Sequence, residues 1–235
     1  PSLNESQNLF KKLPKLGVDI IEIGMPFTDP MADGLLIQKA GQRSLSNETN
    51  LNNVFNLVEE IRKEDNIIPI ILMGYYNPIY SMGVRNFLNK SKKSGVDGFI
   101  IVDLPPEEDQ EFCMPARKMG LDFIRLATPT TTSKRLPKVL KNTSGFIYYV
   151  SVTGITGSRN LDIQKVEKQV KIIKNQTTIP VCVGFGIKTP EDAKSVSSVA
   201  DGVVVGSSII ELIEKNQPLD KICNYIKSLA DAVHS

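Results

Sequence analysis

Short runs of apolar, mostly β-branched residues punctuate the chain at Val18–Ile23, Ile68–Met73, Gly98–Val102, Phe123–Ala127, Phe146–Ser151, Pro180–Val183 and Gly202–Val205. Most are nearly continuous rather than alternating, as expected of parallel strands covered on both faces. Between them the apolar positions fall at helical spacing, as in Asn53–Lys63, Gly83–Lys93, Glu107–Lys118 and Gln164–Ile173. Strand and helix alternating in this way predict βαβ units and a parallel sheet. A doubly wound open sheet would carry its phosphate loop after the first strand. Here the glycine-rich candidates follow the last two strands, the arrangement of a (β/α)₈ barrel. Seven runs leave such a barrel one strand short. Because Leu3–Leu16 reads as a helix leading into the first run, the strand expected to be missing is the first. The expected fold is therefore α/β, a TIM-type (β/α)₈ barrel lacking its first strand and formed as one domain over residues 1–235.

Composition narrows the function classes. The chain has 28 basic and 26 acidic residues among 235, a balance that argues against nucleic-acid binding, which concentrates positive charge. The three cysteines, Cys113, Cys182 and Cys223, are far apart and show no metal-ligand spacing, so reduced, packed thiols are expected. No apolar run approaches the roughly 18 residues of a membrane helix. The segment Pro1–Gln7 lacks the apolar core of a signal peptide, and a cytoplasmic protein is expected.

Two late loops suit an anion. Gly184-Phe185-Gly186-Ile187 precedes a helix announced by Thr189 as N-cap and Pro190 at the first helical position. Gly206-Ser207-Ser208 opens the helix after the last strand. Glycines allow close backbone approach, and free N–H groups at helix starts bind phosphate. Gly154-Ile155-Thr156-Gly157 could close over the same ligand. A phosphomonoester held by amides and hydroxyls is the ligand these loops suggest; ordinary tight βα turns are the alternative.

Only one histidine is present, His234, next to the last residue, so no Ser/His/Asp set can be assembled. Chemistry falls to carboxylates. Period-2 alternation puts Glu22 on the same strand face as Ile20 and Gly24, where it either projects into the barrel mouth as a proton carrier or is paired with a cation. Asp33 lies just beyond, in a Pro- and Gly-bracketed loop where Asp29 and Asp33 could equally serve as turn formers or caps.

The segment Glu22-Ile-Gly-Met-Pro-Phe-Thr-Asp-Pro-Met-Ala-Asp-Gly34 resembles the signature of the tryptophan synthase alpha chain family. Leu72–Pro78, Asp103–Glu108, Tyr148–Gly157, Gly184–Ile187 and Gly206-Ser207 resemble further motifs of that family, in its order. One departure is Leu35, where the family usually has proline. The resemblance implies a lyase that splits indole-3-glycerol phosphate into indole and glyceraldehyde 3-phosphate by retro-aldol cleavage. It implies Glu22 as general acid/base and Asp33 as acceptor for the indole N–H. Thr156 would belong to a lid contacting Asp33, Tyr75 and Tyr148 would line the indole pocket, and Gly157, Phe185, Gly186, Gly206 and Ser207 would hold phosphate. No metal or organic cofactor is implied. The implied partner is a beta chain carrying pyridoxal phosphate in an α2β2 assembly, facing the Asp29–Asp33 and Asp103–Glu108 loops. Two alternatives remain: an alpha-type subunit acting mainly as an allosteric partner, or another phosphate-binding barrel such as indole-glycerol-phosphate synthase, phosphoribosylanthranilate isomerase or a pentose-phosphate epimerase.

Overall fold

The computed structural model describes residues 2–151, 162–184 and 186–235. All seven apolar runs form parallel strands: β1 (Ile21–Gly24), β2 (Ile70–Gly74), β3 (Gly98–Ile101), β4 (Asp122–Phe123), β5 (Arg125–Ala127), β6 (Ile147–Val150), β7 (Val181–Gly184) and β8 (Gly202–Val204). The run at 123–127 supplies both β4 and β5, divided at Ile124. One ladder runs β1-β2-β3-β4 and the other β5-β6-β7-β8. Among the described residues no ladder joins β8 to β1, so the row stays open where the sequence reading leaves it one strand short.

Eleven helices stand among the described residues: α1 (Leu3–Phe10), α2 (Leu35–Ser46), α3 (Leu51–Glu64), α4 (Tyr76–Met82), α5 (Val84–Ser94), α6 (Cys113–Lys118), α7 (Leu136–Leu140), α8 (Ile163–Lys174), α9 (Pro190–Ser197), α10 (Ser207–Glu214) and α11 (Leu219–Val233). None is long and apolar enough to cross a membrane. The caps explain several starts. Asn50 and Thr189 each accept N–H bonds and complete capping boxes for α3 and α9, satisfying donors that a helix start leaves unpaired.

Two predicted helices are shorter than their patterns. Leu3–Leu16 gives α1 and then a 3₁₀ turn at Leu13–Leu16, because Pro14 lacks the N–H needed to continue the helix. Glu107–Lys118 becomes a 3₁₀ turn at Pro106–Glu108 followed by α6. There the buried Asp109 turns inward to pair with Arg125 on β5, and the chain bends around that contact.

The strands separate two apolar layers. Ile21, Ile23, Ile70, Leu72, Phe99 and Phe123 face α3 and α5 on one side, and Ile147, Tyr149, Val181 and Val183 continue this outer core toward α8 and α9. Ile71, Ile100, Ile124 and Phe146 form a separate inner cluster with Met73, Leu126, Tyr148 and Cys182. This is the side-chain filling of a TIM barrel.

Two places at the foot of the barrel are built alike. Asp97, just before β3, accepts the N–H of Ile70 at the start of β2 at 2.7 Å and pairs with Arg62 of α3. Asp201, just before β8, accepts the N–H of Val181 at the start of β7 at 2.9 Å and pairs with Lys174 of α8 at 2.6 Å. The sequences Asp97-Gly98 and Asp201-Gly202 repeat as well. At both glycines the inner wall leaves no room: a Cβ would stand 2.9 Å from Asp122 O in one case and 2.7 Å from Cys182 Sγ in the other.

Candidate active site

Register fixes where Glu22 points. Glu22 pairs with Ile71 across β1–β2, and Ile71 belongs to the inner cluster; neighbouring residues in a parallel ladder share a face. Glu22 therefore projects inward, flanked by the buried, outward-facing Ile21 and Ile23. Burial of its carboxyl favours the neutral form and pushes the pKa up to about 7. The alternative of a cation partner for Glu22 contributes nothing to this shift, whose cause is burial.

Tyr148 on β6 shares the inner face. Burial raises its phenol well above the usual range, and the nearby Glu22 charge raises it further, so the phenol remains a neutral hydrogen-bonding group. Gly184 makes room for the ring: a Cβ there would lie 2.6 Å from Tyr148 Cε2 and Oη. Alternation marks Gly184 as inward-facing, two positions after Cys182, but its loop motif pointed only to phosphate.

Asp33 stands in the loop between β1 and α2, partly buried. Burial raises its carboxyl, and a hydrogen bond from Tyr75 opposes that rise. Tyr75 follows β2 directly, is 3% exposed, and also accepts the backbone N–H of Ala32 at 3.0 Å. Its phenol is raised, chiefly by burial and also by the Asp33 charge. Phe27 packs on the Tyr75 ring at 5.5 Å between centroids. From the helix side, Gln38 Nε2 donates to Asp33 O at 2.8 Å. Phe27 and Gln38 escape the sequence reading because both contacts depend on how the loop folds back.

The anion loops are partly described. Gly186 adopts a left-handed φ of 80°, which a residue with a Cβ would resist. Gly206 precedes α10 without a side-chain cap, so the first N–H groups of that helix remain available to a ligand. Ser208 Oγ donates to Ile187 O at 3.3 Å, joining the two loops. Gly186, Gly206 and Ser207 are all exposed. Thr156, Gly157 and Phe185 lie outside the described residues. The described site thus offers a carboxyl poised near neutrality on the inner wall, a tethered carboxylate above it, and an uncapped helix start at the C-terminal end of the last strand.

The family model of the tryptophan synthase alpha chain matches residues 1–233. Similar solved structures include tryptophan synthase subunit alpha from Legionella pneumophila, 38% identical, with a TM-score of 0.90 over 98% of this chain and 87% of that one. A tryptophan synthase a2b2 complex from Pyrococcus furiosus includes a chain 37% identical, with a TM-score of 0.90 over 98% of this chain and 94% of that chain. A protein from Aquifex aeolicus is 40% identical, with a TM-score of 0.89 over 97% of this chain and 87% of that one.

Proposed function

The chain belongs to the tryptophan synthase alpha chain family, and we propose that it is the lyase subunit that cleaves indole-3-glycerol phosphate to indole and glyceraldehyde 3-phosphate. The observation that carries this reading is Glu22: an inward carboxyl whose pKa of about 7 keeps both protonation states available near neutral pH. Protonated Glu22 delivers a proton to indole C3. The carboxylate so formed on Glu22 takes the proton of the glycerol hydroxyl next to the ring, the carbon–carbon bond breaks, and the aldehyde of glyceraldehyde 3-phosphate forms. Loss of the C3 substituent restores the aromatic ring.

Asp33 accepts the indole N–H and stabilises positive charge on the protonated ring. Tyr75, which hydrogen-bonds Asp33, fixes that acceptor, and Tyr148 lines the ring pocket. Phosphate rests on Gly186, Gly206 and Ser207, with Gly157 and Phe185 assigned on sequence alone. Thr156 is likewise assigned to substrate binding on sequence alone. The chain works as a single domain in the cytoplasm without a cofactor of its own. It pairs with a pyridoxal phosphate-dependent beta chain in an α2β2 assembly; the P. furiosus relative is described as a mutually activated complex of that stoichiometry.

The test is Glu22→Gln, assayed twice. Indole release from indole-3-glycerol phosphate should vanish, while activation of an added beta chain persists. A variant releasing indole at the parental rate would overturn the assignment of Glu22.

A further inference from the structure

The start of α4 carries Tyr75 at its N-cap, yet no side-chain cap of its own serves that helix. Its first N–H, that of Tyr76, goes instead to the carboxylate of Asp103 at 2.8 Å, in the loop after β3. A second tie joins the same elements, from the Tyr76 hydroxyl to Glu111 Oε2 at 2.8 Å. The far side of the Asp103 loop is anchored too: Leu104 O accepts from the buried Arg125 guanidinium at 3.1 Å. Tyr75, one residue before the capped N–H, holds Ala32 and Asp33.

We propose that Asp103 is a positioning residue for the reaction: it borders no reacting atom in the assignment above, but by capping α4 it sets the Tyr75 hydroxyl and, through it, the Asp33 carboxylate. The inference rests on the lyase reading. It makes the Asp103–Glu111 loop a lever on Asp33, because anything that shifts the loop shifts the α4 start and the tyrosine ahead of it. A carboxylate suits this post, since a negative group at a helix start gains from the N–H groups it faces. Displacing a positioned group by a fraction of an ångström is enough to slow a reaction many-fold.

The experiment is a double-mutant cycle on the full chain. Asp103→Ala should lower kcat for indole release about tenfold with KM little changed, and should add less than about twofold in a Tyr75→Phe background, since residues acting through one another are not additive. Asp103→Asn, which keeps an acceptor oxygen, should restore most of the loss. A second readout needs no turnover: the titration midpoint of the Asp33 side-chain carbon, followed by ¹³C NMR, should rise in Asp103→Ala in the same direction as in Tyr75→Phe. If Asp103→Ala does not fold, Tyr76→Pro against Tyr76→Ala removes the same N–H at a position where proline is tolerated, and the Asp33 midpoint should separate the two. Equal kcat losses in both backgrounds, or an Asp33 midpoint that Tyr75→Phe moves and loss of the cap does not, would overturn the proposal. A parent chain that releases no indole overturns the lyase reading instead, and the Asp33 titration then decides the role of Asp103 alone.

Discussion

The Tyr75 hydroxyl holds two consecutive residues of the loop above it: it accepts the N–H of Ala32 at 3.0 Å and donates to the carboxylate of Asp33. One short bridge thus connects the end of β2 to the loop after β1. Tyr75→Phe removes both bonds while keeping the ring against Phe27. The expected result is a fall in kcat/KM of about 10- to 100-fold, the size of losing one hydrogen bond to a charged group. Asp33 should also titrate at a higher pH, because the bond that lowers its pKa is gone. Unchanged kinetics together with an unchanged Asp33 midpoint would contradict this account.

Glu22 should weaken the fold as pH rises. Its pKa stands near 4.5 in the unfolded chain and about 7 in the folded one, so between those values the folded state holds the extra proton. The stabilising effect is fully present below the unfolded pKa and is lost as pH climbs through the folded pKa. Glu22→Gln removes a buried charge, and its melting temperature should exceed the parent's at about pH 8 and approach it at about pH 5. An inactive variant that is also less stable at the higher pH would show that the parental carboxylate has a compensating partner.

Gly184 and Tyr148 should behave as a steric pair. With a Cβ placed 2.6 Å from the tyrosine ring, Gly184→Ala should cost about 1–3 kcal/mol, the range of overpacked sites. Tyr148→Leu frees that space, so the same glycine change should cost under about 1 kcal/mol when made together with Tyr148→Leu. Urea unfolding of the four proteins gives the comparison, and equal costs in both backgrounds would refute the pairing.

Behind the barrel wall, Arg125 and Asp109 form an ion pair with side chains 6% and 8% exposed. Asn142 Nδ2 adds a bond to Asp109 at 2.5 Å, and the guanidinium sits 4.8 Å from the Phe123 ring centroid. Asp109→Ala leaves the arginine buried without its counter-charge and should destabilise by about 3–5 kcal/mol. Replacing both partners with apolar residues should recover much of that, as measured by chemical denaturation. A single variant within about 0.5 kcal/mol of the parent would mean that water reaches the guanidinium.

The parallel row of strands was legible because each run is apolar on both faces, and Glu22 was legible because a carboxylate interrupts one of those runs. The division of the 123–127 run was not, since Ile124 is as apolar as Phe123 before it and the break comes from how the two ladders meet. The early stop of the Glu107–Lys118 helix was hidden for a related reason. Asp109 suits a helix's solvent face, and only its contact with Arg125, 16 residues on, turns it inward. In the site, alternation was enough to aim Glu22. The ties from Tyr75 to Asp33, from Gln38 to Asp33 O and from Asp103 to Tyr76 join separate loops, and no local periodicity reports such contacts.

The twin aspartates at the foot, Asp97 and Asp201, place the molecule's fastenings at the end where each strand begins. Each ties a helix, the strand that follows it and the next strand with one carboxylate. At Asp201, burial acts to raise the carboxyl, but Lys174 and the Val181 N–H outweigh it and hold the pKa low, so this rivet stays charged at neutral pH. Anchorage is thereby kept at the opposite end of the strands from Asp33 and the anion loops. Loops at the open end can be rebuilt for another substrate while both rivets stay closed, so the catalytic rim is free to drift without loosening its chassis.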